Sequence, residues 1–206
     1  MNILVADKHQ IAKYNTNVEK ALKLKEKLKD INSLYQSIVE KNKKTLMSKN
    51  KKESLYGMFL PDKIMEYVTS EYKGSLTNKI EKKDFKYYFD DEDRVVLTER
   101  YSEKNLLEFI FYFYKDKEVN IMRYNVRDDE IVEIERIEHI QEEVRYSKVD
   151  VHNGIIPTFV EDIFYIEKDY MIDIYEGYIK YSNREIQIFK NIRRRKLKEE
   201  NLLVER

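Results

Sequence analysis

The chain has 206 residues with 39 Lys and Arg against 39 Asp and Glu, and it contains no cysteine. That absence excludes disulfides, thiolate catalysis, Cys-ligated zinc and iron–sulfur centres, while a charged fraction of 38%, against the roughly 25% usual in globular proteins, requires that many charges pair or stay solvated. The formal net charge of zero hides a sorting by position: residues 1–83 carry 18 basic against 10 acidic side chains, residues 84–189 carry 14 against 26, and a basic knot closes the sequence.

Asp7 followed by Gln10 has the form of a capping box, so a helix is expected to start near Lys8. Apolar residues then recur at Ile11, Tyr14, Val18, Ala21, Leu24, Leu28, Ile31, Tyr35 and Ile38 with a mean spacing of about 3.4, close to a coiled-coil seam. So narrow a stripe cannot bury itself alone. It must lie along the body, a second copy or a partner, and residues 1–55 are read as a basic helical arm. The seam fades after Ile38 into lysines. Within 56–83, Pro61 to Tyr72 predicts a short helix capped by Gly74, followed by a linker.

From Asp84 the pattern changes to short apolar runs separated by charged tetrads. Phe85 to Phe89, Val95 to Leu97, Leu106 to Tyr114, Val119 to Val126 and Ile131 to Ile137 read as antiparallel hairpins, with further turns at Asn153-Gly154 and Ser182-Asn183-Arg184. Phe109, Phe111 and Phe113 alternate with Ile110, Tyr112 and Tyr114, which predicts a strand apolar on both faces at the centre of the sheet. Residues 131–140 fit a strand or a helix equally, because Ile131, Ile134 and Ile137 also have helical spacing. Residues 84–189 form the acidic β body. In the tail, 190–206, apolar Ile192, Leu197, Leu202 and Leu203 among Arg193, Arg194, Arg195 and Lys196 predict a C-terminal helix with paired charges. The expected class is α+β: a long N-terminal helix and a short one, a largely antiparallel sheet, then a helical tail.

No motif specifies a chemistry. The four glycines, Gly57, Gly74, Gly154 and Gly177, are too far apart to cradle a phosphate. His139 with Glu135, Glu142 and Glu143 has donors suited to zinc or manganese, but the plainer reading is a charged strand or helix end, and neither metal nor cofactor is expected. Glu-x-Lys triplets at Glu71 and Glu81 arise readily in so charged a chain and do not make a nuclease. The turn acids Asp90, Asp91, Asp93, Asp128, Asp129 and Glu130, with Tyr112 and Tyr114, suggest an acidic, tyrosine-rich face that steers toward a protein with a basic surface. The expectation is a non-enzymatic binding module of inhibitor, immunity or phage counter-defence type. The alternatives are an assembly protein that oligomerises through the helical seam and a nucleic-acid binder using arm and tail, the latter opposed by carboxylate–phosphate repulsion. No small-molecule substrate is evident. With no leader pattern and no long apolar run, a cytoplasmic, membrane-free protein is expected.

Overall fold

The computed structural model describes residues 2–28, 30–42, 44–48, 77–78, 83–141, 143–168, 170–181 and 185–196. The described strands form one eleven-stranded antiparallel sheet in the order β1-β11-β10-β9-β8-β7-β6-β5-β4-β3-β2. The strands are β1 (Asn2–Val5), β2 (Lys44–Ser48), β3 (Phe85–Phe89), β4 (Val95–Ser102), β5 (Asn105–Lys115), β6 (Glu118–Asn125), β7 (Glu130–Ile140), β8 (Glu143–Asp150), β9 (Thr158–Glu167), β10 (Tyr170–Lys180) and β11 (Ile186–Lys196). From β2 to β11 each strand lies beside its sequence neighbour, and from β3 onward the connections are short turns and loops. β1 departs from this and pairs with β11, Asn2 opposite Lys190 and Val5 opposite Gln187.

Two helices lie on one face. The capping box forms at the start of α1 (Lys8–Lys27): Asp7 Oδ1 accepts from Gln10 N and Gln10 Oε1 from Asp7 N, both at 2.9 Å. The periodic stripe is not one continuous helix, because Leu28 ends α1 and Asp30 starts α2 (Ile31–Lys41) by accepting from Ser33 N at 2.9 Å. A side chain that offers the backbone a local acceptor favours a helix start over a helix interior. The stripe keeps its phase across this break. Tyr14, Ala21 and Ile31 are buried in the sheet's core, and Val18, Leu24, Leu28, Tyr35 and Ile38 pack against it, whereas Ile11 stays exposed. The helical seam is thus spent inside the molecule.

The sheet is apolar on both faces. Beneath the helices sit Leu97, Phe109, Phe111, Met122, Ile134, Val149 and Phe159, and on the second face Phe85, Tyr87, Ile110, Tyr112, Ile121, Ile137 and Phe164. β5 contributes to both, as its alternation predicts, but the middle of the strand order falls on β7, two strands away. Residues 131–140 belong to that strand: the register Val119↔Ile137 and Ile134↔Val149 settles the ambiguity for β. The expected C-terminal helix is overturned over the described tail, where β11 runs through Arg193–Lys196 beside β10. Alternation explains the difference. Ile186, Ile188 and Ile192 share one strand face, a period-2 pattern that outweighs the weak helical spacing beyond them. The short helix expected over 61–72 and the turn at 182–184 lie outside the described residues. No described helix is long and apolar enough to cross a membrane.

Candidate functional site

In an antiparallel meander alternate turns collect at opposite ends, so the two acidic turns do not share a surface. The β3–β4 turn lies at one end and its charge is partly balanced locally. Arg94 pairs with Asp90 at 2.7 Å and Glu92 at 2.8 Å, Lys44 pairs with Asp93 at 2.8 Å, and the Arg94 guanidinium stacks 4.6 Å from the Tyr114 ring. Asp91 is exposed in this turn. Tyr114 donates to Val95 O at 2.8 Å, while Tyr112 is buried on the second face and faces Thr98 at 3.3 Å. Neither tyrosine offers a free stacking ring.

The β6–β7 turn at the other end is built differently. Asn125 Oδ1 accepts from Arg127 N at 2.9 Å and Asp128 N at 3.2 Å, and Tyr124 donates to Asp129. Burial, then the Asp129 carboxylate, push the Tyr124 hydroxyl up to about 12. Asp129 takes a positive φ of 53°, a conformation that aspartate tolerates better than most residues. Asp128 and Asp129 point to solvent. Glu130 turns inward and fastens the neighbouring β8–β9 loop: Asn153 N donates to Glu130 Oε2 at 2.9 Å, and His152 Nδ1 lies 3.4 Å from Oε1. Lys25, at the end of α1, donates to Val151 O and, at 3.1 Å, to Asn153 Oδ1. Gly154, at φ +75°, makes the bend. On this anchored loop Ile155 is 62% exposed and Ile156 42%. Tyr181, also exposed, follows β10 at the same end of the sheet.

A second assembly of charge is buried. On the face away from the helices Arg100 meets Glu108, Arg123 bonds Glu133 (2.8 Å) and Glu135, Tyr146 donates to Glu135 (2.9 Å), and Lys148 donates to Glu133 (2.8 Å). Burial and the Glu135 carboxylate raise the Glu133 pKa; Glu135 is buried too, but Arg123 holds it low. The stripe continues beyond Tyr146, whose register partner is Asp162. Asp162 and Asp173 share the single cation Arg193, 4.0 Å from Asp162 and 2.7 Å from Asp173. Burial first, then Asp173, raise Asp162 to about 7. Among the described residues the buried Oδ1 atoms of both aspartates have no donor, and a proton on Asp162 would supply one.

The tail arginines are likewise distributed. Arg193 serves the aspartate pair, Arg194 lies 3.9 Å over the Tyr170 ring, and Arg195 is opposite Met171 in the register. Among the described residues no group of three or more His, Asp or Glu is arranged to hold a metal: Glu135 belongs to the charge network, Glu143 pairs with Arg145 at 3.1 Å, and Glu142 lies outside them. Sequence reasoning missed Ile155 and Ile156, whose only signal is two large apolar residues directly after Asn-Gly. It also missed the buried stripe, signalled by Glu133 and Glu135 two apart on a strand. No protein-family model matches the sequence, and neither a curated protein nor a solved structure matches it.

Proposed function

We propose that the chain is a non-enzymatic protein-binding module that docks through the sheet end carrying Asp128, Asp129, Ile155 and Ile156 onto a partner with a basic surface. The observation that carries this reading is the exposure of Ile155 and Ile156, 62% and 42%, on a loop that hydrogen bonds hold in place. Large apolar side chains presented by an ordered loop bind with a smaller entropy cost of ordering. The carboxylates of Asp128 and Asp129 flank them at the rim, where charge raises association rate and selects the sign of the partner. An inhibitor, an immunity protein or a phage counter-defence protein fits this description. The β3–β4 turn is the weaker candidate because Asp90, Glu92 and Asp93 already pair with Arg94 and Lys44.

The test compares the wild type with Ile155→Asp/Ile156→Asp and with Asp128→Lys/Asp129→Lys as immobilised baits in extract of the native host. A partner retained by the wild type and lost from both variants, then reconstituted from purified components, supports the reading. Ile155 and Ile156 are exposed, so their variant should melt as the wild type does, whereas Asp128→Lys/Asp129→Lys gives up the Tyr124 and Asn125 bonds and strains a positive φ, so its melt is measured beside its binding. Equal retention by all three baits rejects this surface.

A further inference from the structure

Asn153-Gly154 is the one Asn-Gly step in the sequence, and it stands exposed at the bend of the β8–β9 loop. Asparagine before glycine can cyclise, because no Cβ shields the glycine nitrogen from the side-chain amide. Among the described residues Gly154 N donates to no acceptor, so the nucleophile is not tied up in a hydrogen bond. A Cβ built on Gly154 would meet nothing within 4 Å, so the approach is open. The amide itself is held from both ends. Lys25 Nζ, on a side chain only 19% exposed, donates to Asn153 Oδ1 at 3.1 Å, and Asn153 N donates to Glu130 Oε2 at 2.9 Å.

We propose that Asn153 is a self-modifying site, at which the Lys25 ammonium speeds loss of the side-chain amide. Gly154 N gives its proton to water, and its electron pair forms a bond to Asn153 Cγ. The carbonyl electrons move onto Oδ1, where Lys25 is a fixed cation aimed at the developing charge. As the carbonyl re-forms, the Cγ–Nδ2 bond breaks and Nδ2 takes up a proton and leaves as ammonia. Water then opens the cyclic imide. Cleavage between Gly154 N and Cγ leaves an aspartate, whereas cleavage between that nitrogen and the main-chain carbonyl leaves an isoaspartate, with the backbone routed through Cγ. Either product carries a carboxylate that competes for Lys25 with Glu130, whose Oε2 lies 3.9 Å from Lys25 Nζ. The isoaspartate also lengthens the main chain just ahead of Ile155 and Ile156. This chemistry stands whether or not the loop docks a partner. The bonds from Lys25 and Glu130 could instead freeze the amide away from the attacking geometry, and the experiment separates the two effects.

The wild type, Lys25→Met and a capped peptide spanning residues 150–156 are incubated side by side at mildly alkaline pH. Mass mapping follows the exchange of the amide nitrogen for oxygen at residue 153, and a methyltransferase specific for isoaspartate reads the rearranged product. Asn153 in the folded wild type should react at least threefold faster than in the peptide, and Lys25→Met should react more slowly than either. Circular dichroism shows whether Lys25→Met is folded. An unfolded variant would react as the peptide does, and the ratio of wild type to peptide then decides alone. A wild type no faster than the peptide, or a folded Lys25→Met no slower than the wild type, would overturn the proposal, because Lys25 would then be a lock.

Discussion

The Tyr35 hydroxyl on α2 donates to Glu99 Oε1 on β4 at 2.9 Å, and Tyr88 and Tyr101 donate to the same carboxylate, which is 2% exposed. Three phenols thus replace water around a buried charge and tie the second helix to the sheet. Tyr35→Phe should cost about 1–2 kcal/mol, since it removes a hydrogen bond to a charged acceptor. Glu99→Leu should cost more because it orphans three donors. Urea melts measure both; an unchanged midpoint in either would mean that the clasp does not hold α2 in place.

The helical stripe packs inside the molecule, so Ile31→Asp, which buries a carboxylate at a 7% exposed position, should lower stability by several kcal/mol, about 3 or more, without changing mass in light scattering. Loss of a dimer with little loss of stability would restore the seam to an assembly role.

Arg123 is the cation between Glu133 and Glu135. Arg123→Met should cost about 3–5 kcal/mol, the range for breaking a buried pair from one side. The double variant Arg123→Met/Glu135→Leu should recover much of that loss, because Lys148 still serves Glu133 at 2.8 Å. A double variant as unstable as the single one would show that the guanidinium acts through packing.

Asp162 titrates at about 7 in the folded chain and near 4, the ordinary aspartate value, when unfolded. The folded state therefore holds the proton more tightly. The stability this confers is complete below pH 4 and is lost as pH rises to 7. Glu176 acts oppositely: Tyr178, Lys13 and Lys190 overcome its burial and hold it at about 2, so its contribution is present above the unfolded value and lost as pH falls toward 2. Asp162→Asn should flatten the decline between pH 5 and 7.5 in urea melts. Parallel curves for variant and wild type would count against the raised Asp162.

Much of the hairpin ladder was legible because turn tetrads and period-2 alternation are local signals; Phe109 to Tyr114 announced a strand buried on both sides. What escaped was non-local. Asn2 to Val5 become a strand only because β11 offers an edge at Gln187 to Lys190, far along the chain. Arg193 and Arg194 looked like a helix end until β10 presented Asp173 and Tyr170 across from them. At the end proposed for docking, the acids Asp128 and Asp129 could be picked from sequence, but only the fold ties their turn to the loop of Ile155 and Ile156, through Glu130 and Asn153.

β1 and α1 wait for strands made long after them. β1 needs β11, and α1 rests on β7, β8 and β9, so at roughly 5–20 residues per second a ribosome leaves both without their seats for about 10–30 s. The hairpins from β3 onward can close as they emerge, each beside the one before it. During that interval a capped amphipathic helix is held apart from its docking face, a nascent-chain state suited to capture by a chaperone.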